Sequence, residues 1–320
     1  MAIRDIIVIG GGPAGFTAAI YLARAKLLPL MLNNRGCQLL LTNEVENYPG
    51  FKEGVTGVEL VMAMEEQAKK FGAEILDKEV IKVDFEGEVK RIFVGEEEYL
   101  AKTVVIATGA RPKILKVGEK EFIGRGVSTC AVCDAAFFRN KTVFVVGGGD
   151  SAVEEALFLA KFTDKVNLIH RRGELRASRI MQERLLAEKK IQVKWETEVV
   201  GVAGKEKLEK IKLKNVETGV EEVAADGLFL ALGHEPTTGV FKGQLALSEL
   251  GYLMVEMTKK GSNNHELWLS GYPTQTSVAG VFGAGDVVDF RYRQAITAAG
   301  MGAMAALDAE KFLTGRSSSY

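Results

Sequence analysis

Three observations predict an α/β fold in two domains, one of them interrupted by the other. A glycine-rich turn joins a short apolar run to a helical stretch near the N-terminus, the same unit returns mid-chain, and a third glycine turn stands near the C-terminus. The first unit is Asp5-Ile6-Ile7-Val8-Ile9, then Gly10-Gly11-Gly12-Pro13-Ala14-Gly15, then Phe16 to Arg24 in helix-forming composition. A glycine triplet of this spacing says little by itself, but between a buried strand and a helix it marks a Rossmann-like dinucleotide-binding turn. Of Gly10, Gly12 and Gly15, one permits the turn, one lets backbone approach a pyrophosphate and one lets the helix pack on the sheet. The helix start at Pro13 and Ala14 faces the negative charge.

The second unit runs Thr142-Val143-Phe144-Val145-Val146, Gly147-Gly148-Gly149-Asp150-Ser151-Ala152, then a helical stretch to Lys161. Each copy is followed by a further apolar strand ending in a similar turn, Val104 to Gly109 with Thr108 in the first and Leu228 to Gly233 in the second. This is an internal repeat of two related dinucleotide-binding domains. The third turn, Gly283-Ala284-Gly285-Asp286, closes the strand-like segment Val278 to Phe282 and has no second partner. If it completes the first unit, that domain is built from residues 1–112 and 242–320, with residues 113–241 inserted as the second domain. The chain then crosses near Arg111-Pro112 and around Gly239 to Gly243, where hinges are expected.

Other segments are read more coarsely. Val58, Val61, Met64, Ala68 and Phe71 fall at helical spacing and read as ordinary core. Residues Glu79 to Leu100 alternate as short strands with turns at Gly87 and Gly95, and Gln294 to Leu313 reads as a long alanine-rich helix despite Gly300 and Gly302. The terminal Ser317-Ser318-Ser319 is expected to fray.

The bulk composition suits 320 residues folded as two ordinary domains, with 47% hydrophobic and 26% charged residues. A net charge of −1, from 41 basic and 42 acidic residues, offers no strong field for nucleic acid or an anionic membrane. No apolar stretch approaches the ~20 residues of a membrane span, so a cytoplasmic or organelle-matrix protein is expected. The three cysteines, Cys37, Cys130 and Cys133, are too few for a secreted disulfide scaffold.

The second unit points to its ligand. About 20 residues past the glycines, such a strand ends beside the adenosine ribose, where an acid selects NAD and basic groups admit NADP. Here Val166-Asn167-Leu168-Ile169 ends in His170-Arg171-Arg172, with Arg176 beyond, and no carboxylate stands at the tip. Guanidinium groups match a phosphate dianion bidentately, which argues for NADPH; an exposed basic turn is the bland alternative. Just before this unit stands Cys130-Ala131-Val132-Cys133-Asp134. Two thiols separated by two residues at a helix start can form a small disulfide ring of low-pKa thiols, and Asp134 is placed to move a proton. Zinc would need ligands recruited from distant segments, so no metal is expected. Together these parts suggest electrons passing from NADPH through a flavin, held by the first fingerprint, to the dithiol and then to a protein partner.

These residues also carry a family resemblance. The stretches Gly10 to Gly15, Glu44-Val45-Glu46-Asn47-Tyr48-Pro49-Gly50, Ala107-Thr108-Gly109-Ala110, Cys130 to Asp134, Gly147 to Ala152, His170 to Arg172, Gly283 to Asp286 and Tyr292-Arg293-Gln294-Ala295 occur together in order. Over nearly its whole length the chain resembles the low-molecular-weight thioredoxin reductases. The resemblance implies two Rossmann-like domains of the three-layer ββα type, with FAD on the split domain and the dithiol on the NADPH domain. It implies Gly10 to Gly15 at the FAD pyrophosphate, Gln38 and Asn47 near the flavin, Gly285 and Asp286 on the ribityl-pyrophosphate stretch, and Arg293, Gln294 and Ala295 along the isoalloxazine. Thr108 and Gly109 fall at the FAD domain's second turn. Gly147, Gly149, Asp150 and Ser151 are matched to NADPH, with His170, Arg171, Arg172 and Arg176. It further implies a homodimer, a domain that rotates between half-reactions, and thioredoxin or a similar small dithiol protein as partner.

The chain departs from the family in three places. Cys37 replaces a glycine in Gly36-Cys37-Gln38-Leu39, where it reads as a small buried hydrophobe. Ala135-Ala136 stands where glycine commonly follows the dithiol. The segment Lys259 to Tyr272, with Leu267, Trp268 and Leu269, is longer than the matching loop and reads as a surface loop with local packing. Same-fold dithiol oxidases and ferredoxin-fed reductases are the rival enzymes, and both are expected to lack the arginines. A flavin-bearing redox sensor without turnover is the rival from another class.

Overall fold

The computed structural model describes residues 2–42, 44–259 and 271–315. The chain divides into two compact units, Met1–Arg111 with Glu235–Tyr320, and Pro112–His234.

The first unit is built on β1 (Ile3–Ile9), β2 (Leu30–Leu32), β3 (Glu74–Leu76), β6 (Glu97–Ile106) and β17 (Val281–Gly283), all parallel, in the order β3-β2-β1-β6-β17. Two further strands extend it in antiparallel fashion: β5 (Lys90–Val94) pairs with the first half of β6, and β4 (Lys82–Asp84) pairs with β5. Side chains alternate across a strand, and β1 shows the consequence. Ile6 and Val8 pack with the helices α1 (Pro13–Arg24), α2 (Gly57–Lys70) and the C-terminal helix, here α6 (Ala295–Thr314). Ile7 and Ile9 pack on the opposite face with Ile92, Phe241 and Val281. Both faces are therefore covered, which is why the strand reads as an unbroken apolar run.

In α2, Thr56 and Glu59 form a reciprocal capping box at the N-terminus. Leu60, Val61, Met64 and Ala68 are buried, but Val58 and Phe71, expected in the same stripe, are 43% and 37% exposed. They stand at the two ends of the helix, past its packed stretch, and the Phe71 ring is covered by the Arg24 guanidinium 5.7 Å away. Within α6, Gly302 is required by packing: a Cβ there would lie 2.1 Å from the carbonyl oxygen of Ala14. The last helix thus seats directly on the first turn of α1.

The second unit repeats the plan. Its sheet is wholly parallel, in the order β11 (Ile191–Lys194), β10 (Lys165–Ile169), β9 (Thr142–Val146), β15 (Gly227–Leu230), β8 (Val127–Ser128). On one face Val143 and Val145 pack with α4 (Asp150–Leu159) and α5 (Arg179–Ala187). On the other, Phe144 and Val146 meet Val199, Ile211 and Leu213 of an antiparallel meander, β12 (Thr197–Gly204), β13 (Leu208–Asn215) and β14 (Gly219–Ala224). Parallel sheet, meander and helices make the three ββα layers. The two chain crossings, β7 (Ala110–Pro112) and β16 (His234–Pro236), pair with each other. Among the described residues no helix is long and apolar enough to cross a membrane.

One buried acid organises the start of this unit. Glu119 is fully buried and accepts from the backbone N–H groups of Leu115, Lys116 and Val117 at 2.5, 2.8 and 2.7 Å. Burial works against the carboxylate, but these donors outweigh it and its pKa is lowered. Glu119→Ala leaves three donors facing a void, and a loss of about 3 kcal/mol in unfolding free energy is expected. Urea unfolding at pH 7 measures it; a loss of under about 1 kcal/mol would show that solvent replaces the carboxylate.

Candidate functional site

The first glycine turn is set by close contact. Gly10 has φ +112°, and a Cβ there would lie 2.2 Å from the Ala107 carbonyl oxygen; one on Gly15 would lie 1.9 Å from the Gly10 oxygen. Only glycine satisfies both the dihedral and the space at position 10. Gly12, by contrast, opens outward as the N-cap of α1, with no side chain capping the helix and Pro13 at its start. Backbone N–H groups at such an end point at an anion.

Several of the residues matched to FAD converge around this turn. A Cβ on Gly12 would meet the Cys37 sulfur at 3.6 Å, and one on Gly285, at φ +77°, would meet the Ala14 Cβ at 2.8 Å. Asn47 Nδ2 donates to Gln294 Oε1 at 3.2 Å, joining residues 247 apart in the chain. Gln294 caps α6, which Ala295 begins, through a reciprocal pair with Thr297. Gln38 opens the short 3-10 turn Gln38–Leu41 just after Cys37. Thr108 and Gly109 make a different connection: Thr108 Oγ1 donates to the Thr237 oxygen at 2.8 Å, and Gly109 O accepts from Thr237 N at 2.9 Å.

Three further residues shape this site without a motif to announce them. Asp289 accepts from the backbone N–H groups of Arg291, Tyr292 and Arg293 at 2.8, 2.8 and 3.0 Å, holding Arg293 at φ +50°. An aspartate preceding a loop is a turn former, so this role was within reach of sequence reasoning. Tyr252, 5% exposed, packs edge-on to Phe290, and burial raises its phenol pKa, with the Arg293 charge opposing and that of Asp286 adding. Asn33, 2% exposed, lies where a Cβ on Gly11 would strike it, and accepts from Arg35 N. For Tyr252 and Asn33 no local signal exists.

Burial, with the nearby Asp289 charge adding and Arg293 opposing, raises the Asp286 pKa to about 7. An acid with a raised native pKa favours folding most when both states are protonated. Stability is lost as pH rises from about 4, where the unfolded chain ionises, through about 7. With flavin removed, a loss on the order of 3 kcal/mol across that window is expected, absent in Asp286→Asn. Thermal melts from pH 5 to 8 test this, and parallel curves for the two proteins would refute it. Burial and the Asp286 charge likewise raise the Cys37 thiol, which suppresses its reactive thiolate.

In the second unit, Cys130 and Cys133 form a disulfide with Cα atoms 5.4 Å apart. Cys130 is the N-cap of the four-residue helix α3 (Ala131–Asp134), and Cys133 N donates to Cys130 Sγ at 3.2 Å. Ser128 Oγ accepts from Cys130 N at 3.0 Å, bracing the approach to the helix. Asp134 is raised by burial, opposed by a hydrogen bond with Ser128, so its carboxyl holds a proton more readily than an exposed aspartate.

The second glycine turn is stitched to the basic loop. A Cβ on Gly147 would lie 2.5 Å from the Ala152 Cβ, whereas Gly149, the uncapped N-cap of α4, has open space. Gly148 O accepts from Arg176 N and Ala177 N at 2.7 and 3.1 Å. Asp150 Oδ1 accepts from Ser178 N and Ser178 Oγ, each at 2.8 Å, which lowers its pKa. Ser151 follows on the exposed first turn of α4. Arg171, Arg172 and Arg176 are exposed, while His170 is buried beneath the turn. Among the described residues no group of three or more His, Cys, Asp or Glu gathers as metal ligands would.

Each unit thus joins an uncapped helix start, opening outward at Gly12 or Gly149, to a turn whose first glycine has no room for a side chain, an arrangement that fits a dinucleotide's pyrophosphate, and only the second carries a dithiol. The profile of pyridine nucleotide-disulphide oxidoreductases matches residues 4–302. This chain belongs to that family. The oxidoreductase is 47% identical over 317 residues to the thioredoxin reductase of Streptomyces coelicolor, covering 97% of this chain and 94% of that one. It is 48% identical over 315 residues to the thioredoxin reductase of Mycolicibacterium smegmatis, covering 97% of each. Among solved structures, the thioredoxin reductase of Streptococcus pyogenes MGAS5005 superposes with a TM-score of 0.89 at 39% identity, covering 98% of this chain and 99% of that one. The oxidoreductase is FAD- and NADPH-dependent, and the expected two-domain Rossmann-like fold agrees with these neighbours. The segment 260–270 of the long loop, with Trp268, and the terminal serines lie outside the described residues.

Proposed function

We propose that the chain is an NADPH-dependent thioredoxin-disulfide reductase that works through Cys130 and Cys133. The observation that carries the reading is the Cys130–Cys133 bond at a helix start, in the unit that also bears the arginine loop. The names of the relatives support thioredoxin as the substrate.

In this reading the first unit, Met1–Arg111 with Glu235–Tyr320, holds FAD, through Gly10, Gly12, Pro13, Ala14, Gly15, Gln38, Asn47, Thr108, Gly109, Gly285, Asp286, Arg293, Gln294 and Ala295. The second unit, Pro112–His234, holds NADPH, with Gly147, Gly149, Asp150 and Ser151 at the pyrophosphate and Arg171, Arg172 and Arg176 at the 2′-phosphate. Bound FAD supplies the two-electron link between NADPH and the disulfide. The chain's own sulfurs do the rest. Once the Cys130–Cys133 bond is reduced, one thiolate attacks a sulfur of the thioredoxin disulfide and forms a mixed disulfide, while the released thioredoxin sulfur takes a proton. The second cysteine then attacks the mixed disulfide, re-forming the Cys130–Cys133 bond and freeing dithiol thioredoxin. The Cys133 N–H beside Cys130 Sγ stabilises a thiolate there. Asp134, with its raised pKa, is suited to exchange the proton. Rotation of one unit against the other about the paired crossings, a homodimer and a cytoplasmic location complete the reading.

The test is NADPH-dependent reduction of an aromatic disulfide dye by the purified protein, with and without thioredoxin. Fast turnover only with thioredoxin supports the proposal. Bound FAD with slow turnover in its presence would favour an oxidase or a sensor.

A further inference from the structure

We propose that His170 is a positioning residue whose two ring nitrogens both carry hydrogen, tying the second glycine turn to the arginine loop. The inference rests on the reading of this unit as the NADPH site. The residue is 6% exposed. Its Nδ1 lies 3.0 Å from the Gly147 carbonyl oxygen and its Nε2 lies 2.9 Å from the Glu174 carbonyl oxygen. Carbonyl oxygens only accept, and a neutral imidazole can donate from one nitrogen alone. Either neutral tautomer would turn a bare lone pair of a buried ring toward a carbonyl oxygen at hydrogen-bond distance. The arrangement is satisfied on both sides only by a double donor.

The neighbours hold the ring in that place. His170 N donates to Lys194 O at 3.0 Å and His170 O accepts from Thr197 N at 3.0 Å, so its backbone is anchored on both sides. The Trp195 ring meets it edge-on at 6.4 Å. A Cβ on Gly148 would stand 2.2 Å from the ring carbon Cε1, so the ring is packed against the turn. Gly147 belongs to the turn matched to the pyrophosphate, and Glu174 lies between Arg172 and Arg176. Both polar ring atoms are engaged by backbone carbonyls, which leaves neither for the coenzyme. His170 therefore acts through the turn and the loop, setting one against the other, while the arginines make the contact.

The holoenzyme with its disulfide intact is the sample for nitrogen NMR of the histidine rings, assigned by comparison with His170→Gln. Two ring nitrogens each bonded to hydrogen are expected, and one bare nitrogen overturns the proposal. Glutamine carries both of its donors on a single nitrogen, which cannot take the places of two separated ring nitrogens at once. In His170→Gln the KM for NADPH and for NADH should therefore rise together by about tenfold, with kcat within about twofold. A rise for NADPH alone would make His170 a phosphate contact, and no rise would make it a bystander; either result overturns the positioning role. Gly148→Ala, which displaces the ring without removing it, should give the same KM-against-kcat split, so the proposal stays testable if the histidine variant folds poorly. Failure of the unmodified enzyme to oxidise NADPH would instead defeat the functional reading, and the NMR experiment would still decide the ring.

Discussion

Cys133→Ser should reduce thioredoxin-dependent turnover to background, a fall of at least about a thousandfold, while NADPH still bleaches the bound flavin at its normal rate. The reasoning is stoichiometric. A single remaining thiol can open the thioredoxin disulfide but has no second sulfur to oxidise, so the thiol released on thioredoxin attacks back, its disulfide re-closes and no net reduction results. Bleaching of the flavin by NADPH does not need the second sulfur. Loss of bleaching together with turnover would mean that the electron path is wrong, and retained turnover would remove the dithiol from the reaction.

The second large effect is expected at the coenzyme. Replacing Arg171 and Arg172 together by alanine should raise the KM for NADPH by about a hundredfold and change that for NADH by less than about threefold. Each guanidinium is exposed at the end of β10, in a loop held to the glycine turn through Gly148 O and Asp150. The loop is fixed by backbone contacts, so the double variant should keep its shape and lose only charge. Steady-state titration with both coenzymes measures the effect. Equal shifts for the two would refute the 2′-phosphate assignment and point instead to a general disturbance of the turn.

The contrast between these arginines and His170 marks how far sequence reasoning reached. All four stand in one motif, His170 to Arg172 with Arg176, and sequence alone places them at one function. Burial separates them: the arginines face solvent, and the histidine faces two carbonyls. The two fingerprint turns, with β1 and β9 leading into them, were legible because a strong local pattern meets a turn whose first glycine admits no side chain, and the long C-terminal helix was legible from its alanine-rich composition. The strands of residues 79–100 were legible too, with turns at Gly87 and Gly95, both at positive φ. The meander β12 to β14 escaped because most of its residues are exposed and its alternation is broken by register shifts in β12. Contacts between distant segments had no local signal at all. Asn47 meets Gln294 only because α6 returns to α1, and the carboxyl of Glu119 is defined by three backbone donors that no residue pattern displays.

The seating of α6 on the first turn of α1, with Gly302 against Ala14, has a consequence for how the protein is made. As the ribosome releases the chain from its N-terminus, the contiguous unit of residues 112–234 has all its strands before translation ends. The opening fingerprint must wait for the last twenty or so helical residues before its core closes. Nascent chains stalled before residue 295 should therefore display a protease-resistant middle segment flanked by a cleavable N-terminal one.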